Sequence, residues 1–238
     1  MVMQKLAYTL AAYLPGPSET TPFWRRRSQC KKWPLTRALS CGEQLASALR
    51  FCHDEAFPGY RVLHRDVKPN NIGFLVGSGR LVLFDFGLAS IWKRDPGGGR
   101  DKSMDEPNEV RPLTGQTGSL RYMAPEVAMC QPYNHKAEVF SFADVLWEMG
   151  SHERPFRDLS TDTFTMGIQK GVRPKCPKKW PPALTQLLGE CWLGEPEKRP
   201  EMKDIIPRLR EVLAGLEVEG GAKGSARRGS QGEARSPT

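Results

Sequence analysis

No stretch of the 238-residue chain approaches the roughly 20 apolar residues that a membrane-crossing helix needs. The apolar patch nearest the start, Leu6 to Leu14, follows a single lysine and precedes no small-residue cleavage site, so it is not read as a secretory leader. The six cysteines, at positions 30, 41, 52, 130, 176 and 191, include no C-x-x-C pair. Such scatter argues against a zinc site or a disulfide framework and for a reducing, cytoplasmic setting. The net charge of +8 would admit a polyanionic partner. The basic residues, however, fall in separate clusters at Arg25–Arg27 with Lys31–Lys32, at Lys178–Lys179 and at Arg227–Arg228, with no aromatic interleaving. These read as solvated loops and tails, so neither a nucleic acid nor a membrane is expected as a partner. No internal repeat is present.

With 39% hydrophobic and 26% charged residues, the composition is that of a globular chain large enough to bury a core. A short helix is expected over Ala7 to Leu14. Residues 15–35, rich in Pro, Ser, Thr and Arg, read as an irregular insertion. Ser40-Cys41-Gly42-Glu43 has the spacing of a capping box, and Leu45, Ala48, Leu49 and Cys52 follow on one helix face that should end before Pro58-Gly59. Val62 and Leu63 read as a short strand. Ile72–Val76 and Leu81–Phe84 read as two strands joined by Gly77-Ser78-Gly79, a hairpin signal. The polar stretch from Ser90 to Gly118 reads as a long functional or disordered loop. Helical periodicity resumes over Lys136–Gly150, apolar around much of its circumference as a central helix would be. Further helices are expected around Thr161–Lys170, Ala183–Leu193 and Glu201–Leu216, the last kinked by Pro207 or starting late because of it. From residue 217 onward Gly, Ser, Ala and Arg dominate without apolar periodicity, so 217–238 reads as a disordered tail.

Two segments concentrate the chemistry. His64-Arg65-Asp66-Val67-Lys68-Pro69-Asn70-Asn71 follows the Val62–Leu63 strand, and Asp85-Phe86-Gly87 follows the hairpin. Because a hairpin returns the chain, Asp85 at the end of its second strand should come near Asn71 at the start of its first. Carboxylates, a lysine and an amide at these offsets are what phosphoryl transfer requires: an orienter and proton acceptor for a hydroxyl, and hard oxygen ligands for Mg²⁺. Either carboxylate alone would be read as a turn or cap residue.

The wider context adds three motifs in order: Y-M-A-P-E at Tyr122–Glu126, K-A-E-V-F-S-F-A-D-V-L-W-E-M at Lys136–Met149, and C-W-L-G-E-P-E-K-R-P at Cys191–Pro200. Together with H-R-D-V-K-P-N-N and F-D-F-G, this series resembles the C-terminal lobe of a eukaryotic protein kinase, of the serine/threonine type in the tyrosine-kinase-like branch. The resemblance implies a mainly α fold with a small β-hairpin, and a C-lobe over residues 36–216. It also implies that Asp66 orients the substrate hydroxyl and accepts its proton, and that Lys68 steadies the γ-phosphate and points to Ser/Thr specificity. Asn71 and Asp85 would be the Mg²⁺ ligands, with ATP as the nucleotide and a protein Ser/Thr as acceptor. Arg65 resembles the residue that receives an activation-loop phosphate, with Thr114, Thr117 or Ser103 as acceptor sites for an upstream kinase. Ser119 takes a structural or substrate-facing position, and Glu126 with Arg199 matches a buried ion pair of the family. Two residues depart from the pattern. Glu138 replaces an aspartate that bonds the catalytic-loop backbone, where an extra methylene is expected to loosen the anchor, and Ala143 replaces a glycine.

The resemblance also marks an absence. No G-x-G-x-x-G precedes Asp66, and Lys5, Lys31 and Lys32 lack the strand pattern of a V-A-I-K lysine. Residues 1–14 instead resemble the hinge between lobes and the short helix after it, so that the backbone of Gln4 to Leu6 would meet an adenine ring. The N-terminal lobe is read as missing or truncated. The expected function is a protein serine/threonine kinase using Mg-ATP. The alternatives are a non-catalytic kinase-like binding module and, last, a phosphotransferase working without an N-lobe.

Overall fold

A computed structural model describes residues 5–16, 20–93 and 110–229, with only the backbone of Trp92 and of residues 219–229. The mass of the molecule is helical, and two small antiparallel sheets sit at one side of the helical body. Strands β1 (Leu6–Thr9), β3 (Ile72–Leu75) and β4 (Leu81–Leu83) form a sheet in the order β1-β3-β4, while β2 (Tyr60–Leu63) pairs with β5 (Ser90–Lys93). The hairpin expected from Gly77-Ser78-Gly79 is β3–β4, with Ile72 opposite Leu83 and Phe74 opposite Leu81. Both glycines of the turn have positive φ, 84° at Gly77 and 64° at Gly79, as a tight reversal requires.

Several local expectations are corrected. Leu6 to Thr9, expected to enter a helix at Ala7, is a strand; the helix α1 occupies only Leu10–Tyr13, capped by the Thr9 hydroxyl. The strand forms because Leu6 and Tyr8 pair with Leu75 and Phe74, a partner too distant in sequence to leave a local signal. Within 15–35 a ten-residue helix, α2 (Phe23–Lys32), replaces the expected irregular insertion. The capping-box reading of Ser40–Glu43 also fails. Helix α3 begins at Leu35 directly after Pro34 and runs to Arg50, so Ser40 lies inside it. Its apolar face is longer than the capping signal implied: Ala38, Leu39, Leu45, Ala46 and Leu49 are all buried. A π-helical turn over Phe51–Glu55 closes it before Pro58, as expected from the breaker. An actual capping box occurs instead at Ser160 and Thr163, at the start of α6 (Thr161–Gln169).

Helix α5 (Lys136–Ser151) is the central helix, with Val139, Phe140, Phe142, Ala143, Val145 and Met149 fully buried. It packs on α3, where Gly42 permits the approach: a Cβ there would lie 2.8 Å from Leu146 Cδ1. Helix α4 (Pro125–Ala128) precedes it, and α7 (Pro182–Cys191) packs on its other side. Helix α8 (Met202–Gly229) lies along α3. It starts at Met202, which excludes a late start, and Pro207 lies inside it. Its backbone continues to Gly229 through residues expected to be a disordered tail. Extending an existing helix avoids the unfavourable nucleation step that an isolated segment of this composition would face. The remainder of that tail, 230–238, and the glycine cluster at 97–99 lie outside the described residues.

Candidate active site

The site forms where the β2–β3 connection meets the end of β4. His64 makes the join. Its Nε2–H donates to the Phe84 carbonyl at 2.8 Å, leaving Nδ1 to accept the Asp66 backbone N–H at 3.2 Å. The imidazole also packs edge-on against Phe86, with ring centroids 4.7 Å apart. One buried side chain therefore ties the residue before Asp85 to the backbone of Asp66. The two backbones are unusual at corresponding points: Arg65 and Asp85 both adopt left-handed conformations, with φ of 68° and 64°. Non-glycine residues held there cost about 1–3 kcal/mol each and concentrate at functional loops.

The Asp66 carboxylate is held from three directions. Oδ2 accepts from Lys68 Nζ at 2.6 Å and from Asn71 Nδ2 at 3.0 Å, while Oδ1 accepts the Ser119 backbone N–H at 2.9 Å. Asn71 also donates to the Asp66 carbonyl at 3.0 Å, and Lys68 donates to the Ser119 hydroxyl at 2.8 Å. Burial alone would push the Asp66 carboxyl up. The hydrogen bonds from Lys68, Ser119 and Asn71, with the Lys68 charge, outweigh it and hold the group below the usual carboxylate value. A carboxylate offers about four lone-pair sites; these contacts leave one open on Oδ1. Gly118 keeps that side clear. It has φ of 98°, and a Cβ there would lie 3.2 Å from Oδ1 and 2.4 Å from the Arg65 carbonyl.

Asn71 spends its amide nitrogen on Asp66, so its Oδ1 remains an acceptor facing away from that bond. Asp85 is exposed, at the mouth of the same loop pair. One amide oxygen and one carboxylate are hard ligands of the kind Mg²⁺ takes when it keeps waters and phosphate oxygens in its shell. Among the described residues no cluster of three or more His, Cys, Asp or Glu side chains is poised for a metal. An amide oxygen and a carboxylate are a donor set that fits Mg²⁺. Leu6, expected beside an adenine, lies on β1 with its side chain against Gly73, where a Cβ would come within 3.0 Å of Leu6 Cδ2. Gln4 lies outside the described residues.

Arg65 gathers the segments around the site. Its backbone N–H donates to Glu138 Oε1 at 2.6 Å, and Glu138 Oε2 accepts from His53 Nε2 at 2.6 Å. The loosening expected from the longer Glu138 side chain is therefore not observed. The second carboxylate oxygen is braced by His53, which takes up the extra reach. Burial would raise the Glu138 carboxyl, but the His53 bond and the Arg65 amide hold it below its ordinary value. The Arg65 guanidinium bonds the Tyr133 hydroxyl at 2.8 Å, the Thr114 hydroxyl and carbonyl, and Thr117 Oγ1 at 3.1 Å. Thr114 and Thr117 are thus brought to the basic residue with which sequence had matched them, while Ser103 lies outside the described residues. His53 and Tyr133 were missed by sequence reasoning. Neither carries a local signal, since their partners lie 85 and 68 residues away. Farther back, Glu126 and Arg199 form a buried bidentate pair at 2.6 and 2.8 Å.

A braced aspartate with a lysine two residues on and an amide bonded to its carboxylate form the centre of the site. The chain belongs to the protein kinase domain family, whose match covers residues 16–208. It is 38% identical over 154 residues to the serine/threonine-protein kinase STY17 of Arabidopsis thaliana, covering 64% of this chain and 24% of that protein. It is 34% identical over 180 residues to the Arabidopsis serine/threonine-protein kinase VIK (74% and 38%). The identity is likewise 34%, over 183 residues, to mitogen-activated protein kinase kinase kinase 7 of Drosophila melanogaster (76% and 24%). The chain therefore spans well under half the length of these relatives.

Proposed function

We propose that this chain carries the hydroxyl-orienting and metal-ligating half of a serine/threonine kinase of the tyrosine-kinase-like branch, built as a C-terminal lobe, whose acceptor is a protein Ser or Thr. The observation that carries the reading is the Asp66 carboxylate, kept ionised by Lys68, Asn71 and the Ser119 amide with one acceptor site open on Oδ1. In this role Asp66 orients the incoming hydroxyl and takes its proton as the oxygen attacks. Lys68, bonded to both Asp66 and Ser119, presents its ammonium where negative charge must be balanced. Asn71 Oδ1 and Asp85 would hold Mg²⁺, and bound Mg-ATP supplies the phosphoryl group and the charge neutralisation for its transfer. Arg65, with Thr114 and Thr117 in its grip, supports regulation of the 110–118 segment by an upstream kinase. The cytoplasmic setting belongs to the same reading and is supported by the free thiols of all six cysteines.

The test is transfer of labelled phosphate from Mg-ATP to a generic basic protein by the full chain. Asp66→Asn should reduce the rate by roughly 10²–10⁴-fold while the folded state is retained at the assay temperature, as read by circular dichroism. Turnover unaffected by Asp66→Asn would refute the assignment. No turnover by the wild-type chain would instead favour the binding-module alternative for this polypeptide.

A further inference from the structure

Helix α2 stands off the body of the domain. None of its residues is buried, and Phe23 and Trp24 are 78% and 75% exposed. It is tethered through Arg26, whose guanidinium donates to Glu153 Oε1 at 2.7 Å, to the His152 carbonyl at 3.0 Å and to the Gly16 carbonyl at 3.3 Å. Phe23, Arg27 and Lys31 recur at one-turn intervals, so they share a helix face. That face looks across a cleft of about 640 Å³ whose other wall is formed by Trp33, Trp180 and the C-terminal end of α5. The aromatic wall is firmly built: Trp180 packs so closely that a Cβ on Gly150 would lie 2.7 Å from its Cζ2.

The rim carries positive charge on both sides, with Arg27 and Lys31 from α2 and Lys179 opposite. All three are exposed. Arg26 is neutralised by Glu153, whereas among the described residues no ion pair engages Arg27, Lys31 or Lys179. His152 adds no charge. Burial holds it below its ordinary value despite its bond to the Trp33 carbonyl, and the Arg26 and Lys179 cations act in the same direction as burial.

We propose that this cleft docks an acidic segment of a protein partner, a short peptide in which carboxylates flank one large aliphatic or aromatic side chain. Its size suits a few side chains, and Arg27, Lys31 and Lys179 line it together with the exposed ring of Phe23. A flat membrane would meet only the rim. A nucleic-acid strand would call for a longer basic track than one cleft provides. The proposal is independent of phosphoryl transfer at Asp66.

The test uses the full chain and a fluorescein-labelled peptide of Asp and Glu around a central Leu, read by fluorescence anisotropy at low and high salt. Binding should weaken with salt. The exposed triple change Arg27→Glu, Lys31→Glu, Lys179→Glu should lower affinity by roughly tenfold or more, a few-fold per lost pair. The control triple Arg80→Glu, Lys170→Glu, Lys203→Glu, with the same change in net charge at exposed sites outside the cleft, should leave it within about twofold, because separated surface charges are screened. Phe23→Ser, at an exposed side chain that leaves the fold intact, should also weaken binding. No binding of the peptide, or equal losses in the two triples, would overturn the proposal. So would tighter binding of phosphatidylserine vesicles or single-stranded RNA that depends on the same three residues.

Discussion

Glu126→Gln removes one charge from a pair that has no access to water. Arg199 is 1% exposed and Glu126 4% exposed. In the native protein the guanidinium makes two charge-assisted bonds to Glu126 and also donates to the carbonyls of Leu193 and Lys136, both at 2.9 Å. Its own carbonyl accepts from Lys136 Nζ at 2.5 Å. Removing the carboxylate charge leaves a buried cation with carbonyl partners only, a loss of roughly 3–5 kcal/mol. For a chain of this size each kcal/mol moves the melting temperature by roughly 2–4 °C, so Glu126→Gln should melt between about 6 and 20 °C lower. The two retained carbonyl bonds place the expected value in the lower half of that range. The assay is a thermal melt followed by circular dichroism, with a second arm in the double variant Glu126→Leu, Arg199→Met. That variant leaves no buried charge behind and should recover a substantial part of the loss, since apolar replacement of a whole buried pair is often neutral or stabilising. A Glu126→Gln melt within about 2 °C of wild type, or a double variant less stable than the single one, would refute this reasoning.

If Asp85 holds Mg²⁺ as proposed, Asp85→Asn should raise the Mg²⁺ concentration needed for half-maximal transfer by roughly tenfold or more, because the proposed hard-cation site would lose that carboxylate; an unchanged Mg²⁺ titration contradicts the metal assignment. Gly118→Ala should lower the urea midpoint by the equivalent of at least roughly 1–3 kcal/mol from backbone strain alone, and should reduce transfer as the new methyl displaces the Arg65 carbonyl; a variant with native stability and rate would show that this backbone approach is slack. Glu148, pushed up to about 7 by burial despite accepting the Tyr122 hydroxyl at 2.6 Å, binds a proton in the folded state that the unfolded chain has released above about 4.5. Its contribution is thus present below pH 4.5 and lost as pH rises to 7. Glu148→Gln should therefore stabilise the protein at pH 8 relative to wild type and leave it nearly unchanged at pH 4.5. Melting curves showing the same difference at both pH values would exclude this role.

The parts of the fold legible in the sequence were those whose signal is local. Gly77-Ser78-Gly79 sets the β3–β4 reversal by itself, and the periodicity over Val139 to Met149 identifies a buried helix without knowledge of its neighbours. The failures share a cause. Strand β1 exists only because Phe74 and Leu75 offer it an edge, and Ser40 resembled a cap because the apolar face of α3 extends back to Leu35 through residues with weak individual signals. At the site, the resemblance singled out Asp66, Lys68, Asn71 and Asp85 by role, and the structure gathers Lys68 and Asn71 around the Asp66 carboxylate. Of what keeps the loop in place, the resemblance anticipated only a bond from position 138 to the loop backbone. The His64–Phe84 bond, the His53–Glu138 brace and the Gly118 approach are contacts between distant segments, created by packing and invisible to any short pattern.

The reach of the Arg65 guanidinium has a kinetic consequence. Its bonds to Tyr133, to Thr114 and Thr117, and to the Leu88 carbonyl at 3.4 Å tie the Leu88 turn to the 111–117 and Tyr133 segments, which are themselves joined by an antiparallel bridge between Arg111 and Tyr133. None of the three can open without breaking bonds to the same group, so they should open as one cooperative unit. In hydrogen exchange, amides near Leu88, Thr117 and Tyr133 would share one opening free energy, and Arg65→Lys, which replaces five donors in a fixed fork with three on a flexible stem, would split that unit into separate steps.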